Sequence, residues 1–268
     1  MVRRWSISLA GLALMLGSLA VTGPAMAAST ARHGVPRTAV SRVFSPGGLF
    51  KQAPGTRPAV VDGHRINYST NWSGYAVTGS TFTTATVSWT QDPITCTSGG
   101  GQTDMSPWVG IDGYSSSTVE QTGSSGDCNG TKPDYYGWYE MYPKNVVVIN
   151  KPVQPNDQFT ATVTHTSGTN YQLKLKDITE GWTNTVTKSL KAKDNSAEAV
   201  MEMAAPHLSQ FGTDPFTGFT VDGQPIGSYT SSPYTIEQME IKVKGTLCDS
   251  TSGLSDSENF TTTWLNAC

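Results

Sequence analysis

Residues 171–176 read Tyr-Gln-Leu-Lys-Leu-Lys, a strict apolar and polar alternation that predicts a strand with one face buried and one in water. Similar short runs lie at residues 82–89, 108–112, 136–142, 159–164, 183–190 and 236–243. They are rich in Thr, Val, Tyr and Trp and are separated by clusters of Gly, Ser, Asn and Pro, as strands joined by tight turns would be. Residues 196–205, with their Ala, Glu and Met, could also form a helix. The strand-rich surroundings make a strand the expectation there. So many strands predict an all-β domain, a sandwich of two antiparallel sheets.

The first 67 residues do not follow this pattern. Arg3 and Arg4 precede an apolar run from Ile7 to Val21, followed by Ala25-Met26-Ala27, which is the grammar of a cleavable secretory signal. The run is broken by Gly11 and Gly17 and is short for a membrane anchor. Residues 28–67 are rich in Pro, Arg, Gly and Ser without periodicity, which fits a leader or pro-segment. The expected organisation is therefore a signal at 1–27, a leader at 28–67 and a β-sandwich domain at 68–268, secreted to the extracellular space.

Charge divides the chain at the same place. Before residue 68 eight basic residues face one acid (net +7), whereas from residue 68 onward ten lysines face twenty acids (net −10). An acidic body argues against nucleic acid as a partner and suits a protein that works in acid, where carboxylates discharge and repel less. Without its signal the leader carries +5, so it is expected to bind the acidic body near neutrality and inhibit it in cis. No membrane association is expected after signal cleavage, no later segment being able to span a bilayer. A monomer is expected.

Four cysteines, Cys96, Cys128, Cys248 and Cys268, suggest two disulfides in an exported chain. Three pairings are possible; Cys96 with Cys128 and Cys248 with Cys268 would each close a loop rich in Gly, Ser and Asp. The spacing lacks the C-x-x-C of zinc sites, and neither a metal nor a cofactor is expected.

Common hydrolytic patterns are missing. Past the leader only His165 and His207 remain, no G-x-S-x-G elbow is present, and Asp112-Gly113 and Asp222-Gly223 lack the middle residue of an aspartic protease motif. Glu198 and Glu202 are four apart and share one strand face, so a two-carboxylate glycosidase is conceivable. A non-catalytic sandwich that binds carbohydrate or protein through its tryptophans and tyrosines, seven and ten in the whole chain, is the other alternative.

One ordered series of motifs is more specific. Asn71-Trp72-Ser73-Gly74 is followed by Trp108-Val109-Gly110-Ile111-Asp112-Gly113, then Gln121-Thr122-Gly123, Trp138-Tyr139-Glu140-Met141-Tyr142-Pro143, and Ala197-Glu198-Ala199-Val200-Met201-Glu202. The series resembles the glutamic peptidase (eqolisin) family across nearly all of residues 70 to 268. The resemblance implies a lectin-like jelly roll acting as an acid endopeptidase on protein or peptide substrates, made as a zymogen. It implies Gln121 and Glu202 as the catalytic pair, with Trp72, Trp108, Asp112, Trp138 and Glu140 lining or supporting the substrate cleft. Met141 and Ala199 depart from the family pattern, which commonly has tryptophan at both positions.

Overall fold

The computed structural model describes residues 47–61, 64–97 and 101–268, all within one compact unit. The expected signal and most of the expected leader lie outside the described residues. Strands β1 to β6 are Ala59–Val61, His64–Ser69, Trp72–Thr78, Thr84–Thr90, Gln102–Ile111 and Val119–Asn129. Strands β7 to β12 are Lys132–Tyr142, Val147–Val148, Gln158–Ser167, Asn170–Asp177, Trp182–Ser189 and Ser196–Glu202. Strands β13 to β18 are His207–Leu208, Thr213–Val221, Gln224–Pro225, Thr235–Val243, Thr246–Thr251 and Phe260–Trp264. The described residues contain no α-helix, and residues 196–202 form a strand, as the surrounding pattern predicts. No helix among them is long and apolar enough to cross a membrane.

Two layers result. One ladder runs β2-β16-β3-β12-β5-β6-β7-β8, antiparallel except between β2 and β16. The other runs β11-β10-β9-β4-β14-β15, antiparallel throughout. Strand β14 joins the two, pairing with β18 in the first layer and β4 in the second. Between the layers lies the main core, where Val87, Phe159, Leu173 and Leu175 of one sheet meet Val109, Ile111, Ala199 and Met201 of the other. Burying such side chains contributes about 1.5–3 kcal/mol each. A second apolar cluster, with Trp72, Trp108, Trp138, Tyr136 and Val200, covers the opposite face of the first sheet. The period-2 alternation of β3, β5 and β12 thus serves two apolar faces rather than one, which is why these strands are buried almost end to end.

Strand β6 has no apolar alternation, yet ten of its eleven residues are buried. Its small residues are needed because Trp108 of β5 lies against it. A Cβ on Gly123 would stand 2.4 Å from the Pro107 carbonyl oxygen and 2.5 Å from Trp108 Cβ. Neither atom can swing away. The structure pairs Cys96 with Cys128 and Cys248 with Cys268, so one disulfide ties the end of β6 to the segment after β4 and the other ties β17 to the C-terminus.

The sandwich also buries many acids. Glu120 is fully buried, and desolvation, helped by the charges of Asp112 and Asp194, pushes its carboxyl up to about 9. Burial raises Asp249 to about 7 even though Ser73 donates a hydrogen bond to it. Such groups stay protonated in the folded chain at a pH where the unfolded chain, with carboxyls near about 4, has released its protons. The unfolded state then binds fewer protons than the folded one, so stability is complete in acid and is lost as pH rises toward the folded values.

Two outcomes are expected. Gly123→Ala will lower stability by about 1–3 kcal/mol, read as a fall in the urea midpoint at unchanged slope. Wild-type stability will decline between about pH 5 and 9, by up to about 1.4 kcal/mol per pH unit for each such carboxyl, and Glu120→Gln will flatten that decline. Urea titrations at several pH values check both; stability that rises across this range contradicts the account.

Candidate active site

Strand β12 runs between β3 and β5, pairing Glu202 with Trp72 on one side and Ser106 on the other. Its even-numbered residues face the tryptophan cluster, since Val200 belongs there while Ala197, Ala199 and Met201 belong to the core between the sheets. Glu202, at the end of the strand, is 1% exposed. Its carboxylate is surrounded by donors: Trp108 Nε1 donates to Oε2 at 2.9 Å and Asn71 Nδ2 to Oε1 at 3.4 Å. The backbone N–H groups of Gly47 and Gly48 donate to Oε2 and Oε1 at 2.8 and 3.0 Å. Burial raises the Glu202 carboxyl above the ordinary range, and the N–H groups of Gly47, Gly48 and Trp108 pull it back down.

Two strands further along the sheet, Gln121 of β6 lies beside Glu140 of β7 in direct register. Gln121 Nε2 donates to Glu140 Oε2 at 2.9 Å, while Gln121 Oε1 has no hydrogen-bond partner among the described residues. Glu140 is pushed up to about 9, first by burial and then by the charge of Glu202, with the Gln121 amide opposing. Both burial and the neighbouring Glu202 charge thus favour the protonated form of Glu140. Gly47 marks how near these groups lie to one another. Its N–H reaches Glu202, and a Cβ on it would fall 1.8 Å from Glu140 Oε2 and 2.6 Å from Gln121 Nε2.

The structure thus gathers Gln121, Glu202, Glu140, Trp72 and Trp108 around one point. The Trp72 and Trp108 rings meet edge to face at 5.0 Å, and Trp138, paired with Gly123, lies in the same aromatic cluster. Asp112 plays a different part. It turns the chain at the end of β5 with φ 70°, and its two oxygens accept the N–H groups of Lys193, Asp194 and Asn195 at 2.9–3.0 Å. Because those residues lead into β12, Asp112 fixes the entry of the strand that carries Glu202. Glu198 is fully buried near Asp112 and Glu120, and burial holds it well above the ordinary carboxylate range.

Met141 and Ala199 both face the core between the sheets. The departures from the family pattern therefore alter packing behind the site. Asn71 and the Gly47-Gly48 pair make contacts to Glu202 that the sequence reading did not assign. Asn71 opens the N-W-S-G motif, which was its signal; the two glycines stand in a leader with no periodicity to mark them. Among the described residues, Asp112, Glu120 and Asp194 bring carboxylate oxygens within 4.8 Å of one another. With the Asp112 oxygens already taken by backbone N–H groups, this set is poorly suited to a metal ion.

Comparison with known proteins places this geometry. Residues 70–264 match the Peptidase A4 family. Aspergillopepsin-2 of Aspergillus niger is 27% identical over 219 residues, covering 72% of this chain and 78% of that protein. Scytalidopepsin B of Scytalidium lignicola is 33% identical over 123 residues, 45% of each. A crystal structure of scytalido-glutamic peptidase with a transition state analog inhibitor superposes with a TM-score of 0.58 at 21% identity, covering 73% of this chain and 98% of that one. Aspergilloglutamic peptidase from Aspergillus niger gives 0.50 at 25% identity, covering 60% and 99%. With the family matched across almost the whole sandwich, the chain belongs to the peptidase A4 family, the eqolisins, and is a glutamic endopeptidase.

Proposed function

We propose that the protein hydrolyses peptide bonds in acid with Glu202 and Gln121 as its catalytic pair. The observation that carries this reading is a buried carboxylate ringed by N–H donors, close to a glutamine amide that a protonated carboxyl holds in place. Glu202 takes a proton from water as the water attacks the peptide carbonyl, then returns it to the leaving amine. That cycle works best with a carboxyl that titrates near the working pH, and an unperturbed glutamate near about 4.3 already implies acid.

Gln121 has the two functions a tetrahedral intermediate needs. One amide hydrogen is held by Glu140, which leaves the second for the developing oxyanion, and the unpartnered Oε1 is free to orient the attacking water. A primary amide keeps these roles at any pH. Trp72, Trp108 and Trp138 provide the apolar wall that excludes bulk water from the charged centre and gives a peptide side chain an apolar surface. Peptide or protein is the substrate class, in keeping with the peptide-based transition state analog and the Ala-Ile-His tripeptide found on the eqolisin structures that this fold resembles. Export to the extracellular space is part of the same proposal, supported by the N-terminal sequence and by the two disulfides.

Digestion of denatured casein or haemoglobin at about pH 3–4 tests the pair. Gln121→Ala is expected to slow cleavage about 100- to 1000-fold, the usual effect of removing an oxyanion donor. Glu202→Gln is expected to abolish it, while Glu198→Gln, a change at a carboxyl that is neutral and away from the gathering point, retains most of the rate. Full activity in Glu202→Gln, or retention on a polysaccharide column without any digestion, contradicts the proposal.

A further inference from the structure

Strand β12 ends at Glu202, and there the chain has to turn back. Its register with β5 stops where Glu202 faces Ser106, and after residues 203–206 the chain lies beside the same strand again as β13, now parallel, with Leu208 opposite Asp104. A reversal this tight cannot continue the ladder, so its backbone N–H groups need other acceptors. The Met203 N–H reaches the Asn71 carbonyl at 2.8 Å. The next two go to one side chain: Ala204 donates to Asp104 Oδ1 and Oδ2 at 3.0 and 3.1 Å, and Ala205 donates to Oδ1 at 2.7 Å. Pro206 has no N–H to place. The Ser209 N–H then returns to the Asp104 backbone carbonyl at 2.8 Å. Asp104 thus holds one limb of the reversal by its side chain and the other by its backbone.

Asp104 is fully buried, and it has a counterpart at the far end of β5. There Asp112 accepts the N–H groups of Lys193, Asp194 and Asn195 just ahead of β12. One strand therefore fixes both the entry and the exit of the strand beside it. The exit bears directly on Glu202, which has ladder partners in Trp72 and Ser106 but no ladder beyond it. Its Oε2 accepts from Trp108 Nε1 at 2.9 Å, and a hydrogen bond of that length is lost on a shift of about 1 Å. Behind Asp104, Asp127 of β6 stands directly opposite and accepts from the Tyr136 hydroxyl at 2.8 Å, so β6 and β7 back the clamp. Burial, and then the charges of Asp127 and Glu202, favour the protonated form of Asp104, while the two alanine N–H groups oppose it. Either form serves, because a protonated carboxyl keeps a carbonyl oxygen and Oδ1 alone reaches both alanines.

We propose that Asp104 is a positioning residue for catalysis: by holding the Ala204 and Ala205 N–H groups it fixes the end of β12, and so the place of the Glu202 carboxylate beside the Gln121 amide. The proposal rests on the reading of Glu202 as the catalytic base. Asp104 acts through the backbone of residues 203–205. Trp72, Trp108 and Trp138 belong to β3, β5 and β7, so loss of the clamp shifts Glu202 and leaves the apolar wall of the site where it is. The chemical step slows and peptide binding does not.

Turnover of a quenched peptide at about pH 3.5, in the range where a glutamate titrates, tests this. The chains compared are shown to be folded by near-ultraviolet circular dichroism and to share the same termini by intact mass. Asp104→Ala is expected to lower kcat about 10- to 100-fold while KM changes less than about twofold. Hydrogen exchange is expected to show the amides of residues 204 and 205 exposed in that variant, with residues 197–201 still protected. Asp104→Asn, which keeps the oxygen that reaches both alanines, is expected to stay within about threefold of the parent kcat. Asp104→Glu keeps the acceptors but moves them by one methylene, and is expected to lose about tenfold in kcat; it decides the matter if Asp104→Ala does not fold. A folded Asp104→Ala with the parent kcat, a loss carried by KM alone, Asp104→Asn as slow as Asp104→Ala, or Asp104→Glu at the parent rate would each overturn the proposal. Glu202→Gln measured alongside separates two failures. If it keeps the parent kcat, the catalytic reading itself is wrong; if it is inactive while Asp104→Ala turns over like the parent, only the positioning role is.

Discussion

The structure depends on aiming hydrogen-bond donors at one buried carboxylate on a sheet face that otherwise excludes water. Taking such an ion out of water costs several kcal/mol, and nothing on an apolar face returns that energy unless donors are aimed at it. Glu202 receives them from separate parts of the chain: an indole from β5, an amide from the β2–β3 turn and two backbone N–H groups from the segment before β1. Placing β12 between β3 and β5 is what makes this possible, because those strands bring Trp72 and Trp108 to its two sides. Glu120 and Glu198 are as deeply buried, but their oxygens have no such ring of donors, and burial drives them toward the neutral form. Two glutamates on β12 and one on β6, all equally buried, therefore differ in how far burial drives them toward the neutral form, for reasons that are entirely local.

A fold that buries so many protonated carboxyls is built for acid, and the same property bears on its chemistry. The charge of Glu202 favours the protonated form of Glu140, the carboxyl that holds the Gln121 amide.

Much of this was legible in the sequence, though unevenly. Strands β4, β9, β10 and β11 announce themselves by alternation, since one face of each meets the core and the other meets water or partly polar surroundings. Strand β6 does not, because a residue pressed against Trp108 has to be small whatever its polarity, and the smallness erases the pattern. Gln121 is nonetheless marked by its short motif. The choice between Glu198 and Glu202 could not be made from strand parity, which puts both on one face; the donors around Glu202 come from residues far away in sequence. The sequence placed Asp112 among the residues lining or supporting the cleft, and only its bonds to residues 193–195 reveal that it fixes the entry to β12. The leader's net charge suggested attraction to the body, while the contact itself runs through two glycines that carry no charge.

The central claim is that the N–H donors around Glu202 favour its ionised form while burial keeps Glu120 neutral. Infrared difference spectroscopy of the full chain at pH 6, comparing the parent with Glu202→Gln and with Glu120→Gln, tests it directly. The account predicts that Glu202→Gln removes intensity from the ionised carboxylate stretch and Glu120→Gln from the protonated carboxyl stretch. Loss of protonated carboxyl intensity on changing Glu202 would contradict it.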